Sequence, residues 1–334
     1  LSNEEERTVT GDSDSIMCGE NRSTDENSMS GRNGSEDLAV EETMETEFLQ
    51  GVYVIQTAAD GRFIKRMKEY LTYEEAAGAC GVDEEILLLR QEISGKSEWY
   101  NGLMPPDNLN PESVKTFLKL THEHYEEVFG GSFPKEVKGF FTDEPNCCDF
   151  FSVFHEGRPW IPWSIGFTEY FIEKRGYDPQ EKLPYLFFDG EGAEKIRHDY
   201  WKTVAQRFEE SYMKQVYEWC DKRGLRTTGH ILYENDLGYQ TRVCGAAMPQ
   251  LRYLHNPGID LLGAQTDEYL TVKQCASVAH QYDRSMTISE AYGCTGWELD
   301  FSTQKWLGDW QFALGITRRC QHLALYSITG CRKR

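Results

Sequence analysis

Ile288-Ser289-Glu290-Ala291-Tyr292-Gly293-Cys294-Thr295-Gly296-Trp297 follows Met286 and Thr287, so a short apolar run breaks on a carboxylate, and two glycines then bend the chain before an indole. This is the pattern of a buried strand with Glu290 at its C-terminal edge. Phe140-Phe141-Thr142-Asp143-Glu144-Pro145 repeats it, with an apolar run ending on an acidic pair. Two strands that end the same way, nearly half the chain apart, point to a repeating architecture.

The chain between them supplies the repeat. Asn110 is a good N-cap and Pro111 a good first helical residue, and Val114, Phe117, Leu118, Thr121, Tyr125 and Val128 recur at helical spacing. That predicts an amphipathic helix over 111–129 leading into a strand over 137–141. Ile196, Tyr200, Val204, Phe208, Tyr212 and Val216 mark one face of a second helix, from about 194 to 221, which Gly224 ends. A strand over 225–229 then runs into His230, with Glu234 four residues on. Another strand, 258–263, ends near Asp267 and Glu268, a helix over 272–282 leads to the Glu290 strand, and a helix over 302–318 precedes an apolar strand at 322–328 that holds Tyr326.

Strands alternating with helices belong to parallel α/β folds. Five such units fit the later part of an α/β (β/α)8 TIM-barrel-like domain, incomplete in this chain. On that count the strands carrying Glu144 and Glu290 are the fourth and seventh, facing one another across the barrel mouth. Residues 146–190 are irregular and aromatic, the composition of a long loop over the barrel rim.

Ahead of the alternation lie two other regions. Residues 1–46 are rich in Ser, Asn, Gly, Asp and Glu and hold hardly an aromatic, so they read as an acidic disordered or inserted segment. Residues 47–98 contain an apolar run at 48–57, an Asp60-Gly61 turn and the run Ile86-Leu87-Leu88-Leu89; they read as a small N-terminal accessory β segment, or as early barrel elements. Residues 99–334 then form the barrel portion.

Composition bounds the function. Aromatic residues are 13% of the 334, ample for a core and for stacking surfaces. The formal charge of −20 divides unevenly: residues 1–50 hold fourteen Asp and Glu against three Lys and Arg, which leaves −9 for the other 284. An acidic surface with no basic stripe repels phosphate backbones, which argues against nucleic-acid partners. Ten cysteines are scattered without a CxxC pair, which favours reduced thiols and a cytoplasmic location. No run approaches eighteen apolar residues and no leader is visible, so neither a membrane span nor a signal peptide is expected. The first residue is Leu, and Gly330-Cys331-Arg332-Lys333-Arg334 follows the last strand without a closing turn, so the chain reads as a fragment.

If the strands form a barrel, their C-terminal ends share one rim. Asp143, Glu144, His230, Glu234, Asp267, Glu268, Glu290 and Tyr326 then converge, with Trp297 beside them. Several carboxylates around a His, ringed by Trp and Tyr, suit glycoside hydrolysis, in which one protonated carboxyl donates to the leaving oxygen and one carboxylate attacks or activates water. Each residue also has a plainer reading. A lone strand-end Glu can serve a helix N-terminus or a salt bridge; His230 suits a hydroxyl or carboxylate partner better than a metal, because no second His stands at ligand spacing. His122 and His124 lie on a helix and read as solvated. Trp306 and Trp310 are four apart on a helix, so one of them reads as core. Cys147-Cys148 has no His signature beside it, which argues against a thiol nucleophile.

These residues also carry a resemblance. Phe-Thr-Asp-Glu-Pro (141–145), Thr-Gly-His followed by Glu234, Pro-Gly-Ile-Asp (257–260), Lys-Gln with Ala-His (273–280), Ser-Glu-Ala-Tyr-Gly with Gly-Trp (289–297) and Lys-Trp with Asp-Trp-Gln (305–311) are similar to bacterial glycoside hydrolases related to the family 106 α-L-rhamnosidases. The resemblance spans roughly residues 95–334. It implies a catalytic barrel followed by β-rich sugar-binding domains absent from this chain, inversion of configuration, and calcium that can sit near the substrate. It implies Glu144 as general acid and Glu290 or Glu234 as base; beside it, Asp143, His230, Glu268, Trp297, Trp306, Asp309 and Tyr326 are read as sugar-binding candidates. The rival readings are a β-galactosidase-like retaining enzyme using the same glutamates, and a carbohydrate-binding protein on a barrel scaffold.

Overall fold

The computed structural model describes residues 49–148, 159–296 and 298–322, all within one compact unit, Phe48–Arg334. Two sheets organise it. The first is antiparallel, in the order β2-β1-β3, from β1 (Leu49–Thr57), β2 (Ile64–Tyr70) and β3 (Glu85–Arg90). A short helix, α1 (Tyr73–Ala79), lies between β2 and β3, capped by Thr72. The two apolar runs of this segment pair with each other, with Val54 opposite Ile86. β2 escapes sequence reading because it is an edge strand in which four of seven residues are charged, so no period-2 apolar alternation survives in it.

The second sheet is parallel and open, with five strands in chain order: β4 (Gly139–Thr142), β5 (Arg226–Gly229), β6 (Asn256–Leu261), β7 (Ile288–Ala291) and β8 (Arg318–Gln321). The (β/α)8 TIM-barrel expectation is therefore corrected. Among the described residues β4 and β8 are free edges, and no strand joins them to close a barrel. Nor do residues 49–90 supply early barrel strands. β1 pairs antiparallel with both its neighbours, and its six-residue link to β2 is far shorter than the dozen or so residues a parallel crossover needs. The numbering of the Glu144 and Glu290 strands as fourth and seventh of eight falls with the closed barrel; they are the first and fourth of five.

The last strand is also displaced from the expected apolar 322–328. Arg318-Arg319-Cys320-Gln321 pairs with Ile288–Ala291 although three of its four residues are exposed, because an edge strand is held by backbone hydrogen bonds and needs no apolar face. Residues 323–328, with Tyr326, lie outside the described residues, as does Trp297.

Helices connect the parallel strands. α2 covers residues 111–129 as Pro111–Leu118, a π turn over Lys119–Glu123 and His124–Phe129, and starts as expected, with Asn110 accepting from the Glu112 N–H. After α3 (Phe167–Arg175), α4 covers residues 193–221, again with a π turn, at Glu209–Met213. Its predicted face is buried: Ile196, Tyr200, Val204 and Phe208 pack with Phe167 and Phe171 in the main core. Each such side chain contributes about 1.5–3 kcal/mol by burial. α5 (Leu237–Cys244) and α6 (Ala247–Leu251) join β5 to β6, α7 (Tyr269–Gln281) joins β6 to β7, and α8 (Phe301–Leu314) joins β7 to β8.

One helical expectation reverses. His122 was read as solvated, yet it is buried, its ring stacked on Phe140 at 4.2 Å and edge-on to Trp219. It falls inside the π turn, which departs from the 3.6-residue period on which the solvated reading rests. Burial, then the charge of Arg223, pulls its pKa down to about 4, so this imidazole is neutral at pH 7. His124 is exposed beside Glu127.

Candidate active site

Parallel pairing places the C-terminal ends of β4 to β8 side by side, and strand register decides what meets there. Thr142 pairs with Gly229, so Asp143 and Glu144 emerge beside His230. Asp260 pairs with Glu290 one strand further on, and their side chains share a face of the sheet. Gly229 makes the first approach possible. Its φ is +136°, and a Cβ there would stand 1.9 Å from the Thr142 carbonyl oxygen. Glu144 itself has φ +48°, in the left-handed region that costs a non-glycine residue about 1–3 kcal/mol and that clusters at functional sites.

His230 is the hub. Its Nε2 lies 2.9 Å from Glu290 Oε2 and 3.4 Å from Asp143 Oδ1, and the residue is 1% exposed. His322, which follows β8, brings Nε2 to 3.6 Å from Glu290 Oε1. Glu144, His230 and Asp260 likewise bring one ligand-type atom each within 4.8 Å of one another. His230 Nδ1 and Asp260 Oδ1 are buried and find no hydrogen-bond partner among the described residues.

This crowding sorts the charges. Burial drives the Glu144 carboxyl up to about 7; Asp143, Asp260 and Glu290 add to the rise and His230 opposes it. Asp260 is raised to about 6, again by burial first. His230 is held up to about 9: burial pulls it down, but the bond to Glu290 and the charges of Glu234, Asp260 and Glu290 outweigh that. Glu290 moves the other way, its pKa lowered by the hydrogen bond from His230. At neutral pH the cluster thus holds an imidazolium, an ionised Glu290 and a Glu144 poised between its two forms.

Glu234 is placed differently from a group that faces a substrate. It is buried, Oε1 accepts from the Ile231 N–H at 3.1 Å, and Oε2 accepts from the Asp260 N–H at 3.0 Å. Its carboxyl ties the turn after β5 to β6 directly behind His230. Burial raises its pKa to about 8. Glu268 stands at the edge of the group, accepting from Gln265 Nε2 at 2.7 Å, and its pKa is raised by burial and by the charge of Asp260. Asp267 is exposed. Trp306 and Asp309 sit on α8, where Trp306 is half exposed and Asp309 pairs with Lys305. Trp310 rather than Trp306 packs against the core. Trp297 and Tyr326 fall outside the described residues.

A cleft of about 290 Å³ opens beside the cluster, lined by Asp143, Glu144, Pro145, Asn146, Trp99 and Tyr100 among others. Its other wall includes Tyr212, whose hydroxyl is 2.9 Å from Thr142 Oγ1 and so steadies the end of β4. One face of the carboxylate cluster is therefore open to a small polar molecule.

No family model matches the chain, and no curated protein matches it. Among solved structures, a rhamnosidase from Novosphingobium sp. PP1Y is similar, with a TM-score of 0.54 and 21% identity. The likeness is one of fold. It covers 68% of this chain and 21% of that enzyme, so the chain spans about a fifth of the neighbour's length.

The donor sets that converge here are Asp143, His230 and Glu290, and Glu144, His230 and Asp260. Calcium takes about six to eight oxygen ligands, whereas both sets centre on one imidazole already hydrogen-bonded to Glu290. Among the described residues, neither of these two sets supplies the oxygens of a calcium cage. Asp260 and His322 are the two cluster members that sequence reading missed. Asp260 carried a usable signal, since it stands one residue before the end of its strand, as Glu290 does in its own. His322 carried none, because the strand before it was placed too late. Among the described residues no helix is long and apolar enough to cross a membrane, and the eight cysteines described there are free thiols.

Proposed function

We propose that this protein is a glycoside hydrolase, most like an α-L-rhamnosidase, in which Glu144 is the general acid and Glu290 the carboxylate that activates water or stabilises the oxocarbenium-like transition state. The observation that carries the reading is the separation of two carboxyls around one imidazole: Glu144 raised to about 7 and Glu290 lowered by its bond to His230. Carboxyls whose environments push their pKa values apart are how one site runs acid and base chemistry at the same pH. The fold likeness to a rhamnosidase supports the same reading and motivates the choice of sugar.

In the proposed reaction the neutral Glu144 carboxyl donates its proton to the glycosidic oxygen as the bond to the anomeric carbon breaks. Positive charge grows on the sugar ring and is met by ionised Glu290, and water then adds to the anomeric carbon and gives up a proton to a carboxylate of the site, completing the hydrolysis. His230, protonated, holds Glu290 ionised and in place, and Asp143 lies near the same Nε2. Glu234 acts through the backbone of Ile231 and Asp260 rather than on the substrate, and Glu268 serves sugar hydroxyls at the rim. Trp306 and Asp309 serve as outer sugar contacts. Calcium takes no part in this scheme.

The test is hydrolysis of a panel of aryl glycosides, α-L-rhamnoside and β-D-galactoside included, by the protein and its Glu144→Gln and Glu290→Gln variants. The expected result is turnover of the rhamnoside that drops by about 10²–10⁴-fold in each variant, the span that general acid–base groups supply. Turnover of the galactoside alone would reassign the sugar. Sugar binding without turnover in all three proteins would leave a carbohydrate-binding protein and overturn the enzyme.

A further inference from the structure

An imidazole stands at each oxygen of Glu290, and the two are placed differently. His230 Nε2 meets Oε2 at 2.9 Å, while His322 Nε2 lies 3.6 Å from Oε1. The His230 side chain is 1% exposed and that of His322 is 35% exposed. One carboxylate oxygen is thus sealed into the protein by a direct hydrogen bond, and the other faces a side chain that solvent reaches.

The backbone fixes His322 at this spot. Ala291 pairs with Gln321, the last residue of β8, and the next N–H, that of His322, donates to the Ala291 carbonyl at 2.9 Å. The ladder that carries Glu290 therefore also carries the imidazole, although β8 is an exposed edge strand. A span of 3.6 Å is too long for a good direct hydrogen bond, but one water oxygen at about 2.8 Å from each atom bridges it.

Position in the sheet gives that water a direction. Glu144 follows β4 and His322 follows β8, the two edges of the sheet, with Glu290 on the strand next to β8. When a carboxylate activates water in glycoside hydrolysis, the water lies on the face of the sugar ring opposite the proton donor.

From this arrangement we infer that His322 is a catalytic residue which, together with Glu290 Oε1, holds the attacking water. The inference rests on the roles proposed for Glu144 and Glu290 and deepens them by giving the open oxygen of the base a second partner. One hydrogen of the water points to Glu290 Oε1 and the other to His322 Nε2, which turns an oxygen lone pair towards the anomeric carbon. As the new carbon–oxygen bond forms, the first hydrogen passes to Glu290 as a proton. The bond to the leaving oxygen breaks in the same step, and that oxygen takes the proton of Glu144. The second hydrogen of the water stays on the sugar in its new hydroxyl.

The experiment compares His322→Asn and His322→Gln with the parent on the aryl glycoside that the parent hydrolyses, with and without sodium azide. Asn places no atom where Nε2 stands, whereas Gln reaches that place, and unfolding midpoints report whether each variant keeps the fold. Expected in His322→Asn is a kcat lower by about 10²-fold with KM little changed, the cost of misplacing a reacting group by ~1 Å, and in His322→Gln a rate about tenfold above that. Azide, an anion that attacks without losing a proton, should restore turnover by His322→Asn and yield the glycosyl azide. A His322→Asn protein with the parent's kcat overturns the inference. So does a loss that azide leaves in place or that KM carries, because a ring that only packs, or only binds a sugar hydroxyl, gives that result. If the midpoint of His322→Asn falls, the azide product decides: its formation supports the water site and its absence overturns it. A parent that hydrolyses no glycoside overturns the hydrolase reading itself, and the water site with it.

Discussion

His230 Nε2 stands 2.9 Å from Glu290 Oε2, joining the end of β5 to the end of β7 across 60 residues of sequence. The bond does two things at once. It keeps Glu290 ionised, and it sets a positive charge near Glu144, the one group in the cluster that lowers a carboxyl otherwise raised by burial and by its acidic neighbours.

Replacing that hub shifts the pH profile in a defined direction. In the protein as it stands, kcat/KM is expected to fall on the alkaline side as Glu144 loses its proton near pH 7. His230→Asn removes the cation that opposes the rise, so the alkaline limb moves to higher pH while the rate itself drops. A pH–rate profile of the variant on an aryl glycoside checks this, and a limb that stays put or moves down would disconnect Glu144 from His230.

Stability is expected to decline as pH rises through neutrality. Glu144, Asp260, Glu234 and His230 all have folded pKa values above their ordinary ones, so the native state binds more protons than the unfolded chain between about pH 4 and 9. Each contribution is whole below the group's unfolded pKa and is lost as pH passes its folded value: about 6 for Asp260, 7 for Glu144, 8 for Glu234 and 9 for His230. Urea midpoints measured from pH 5 to 9 should therefore fall, and should fall less steeply in Glu234→Gln. A midpoint that climbs across this range refutes the assignment.

Glu234→Gln is informative at a single pH as well. The amide keeps one acceptor and turns a donor towards one of two backbone N–H groups, at Ile231 or Asp260. A buried donor left unmatched costs about 1–3 kcal/mol. The expected outcome is an unfolding free energy lower by that amount, with kcat reduced far less than in Glu144→Gln. Equal losses of kcat in the two variants would make Glu234 a reacting group and remove it from its supporting place.

Gly229→Ala should damage the site more than any surface change of similar size. The new Cβ meets the Thr142 carbonyl at 1.9 Å on a residue with φ +136°, so β4 and β5 must part where Asp143 and His230 come together. Replacing a glycine whose conformation only glycine takes readily costs about 1 kcal/mol or more before the clash is counted. Thermal unfolding and activity should both fall, and a variant as stable and active as the parent would show that the strand ends are not held as described.

Local chemistry made much of this protein legible in its sequence. Asn110 and Pro111 announce a helix start because capping involves only neighbours. The Ile196, Tyr200, Val204 and Phe208 face is readable because a helix repeats every 3.6 residues whatever it packs against. Glu144 and Glu290 stand out because apolar runs that stop on a carboxylate are a property of the strand itself. Periodicity failed where a strand carried too few apolar residues to show an alternation, at Ile64–Tyr70 and Arg318–Gln321, and where a π turn broke the helical period, at His122.

The tertiary structure decided what these residues do to one another. Whether five parallel strands close or stay open depends on pairing at the free edges of β4 and β8, and no stretch of sequence encodes its own neighbour. Register alone puts Asp260 beside Glu290, and a one-residue slip would turn either carboxylate to the opposite face. The pKa values that separate Glu144 from Glu290 arise from burial and from charges brought within a few ångströms of His230. Residue identity supplied the carboxyls; distance and desolvation, which exist only once the chain has folded, gave them different protonation states.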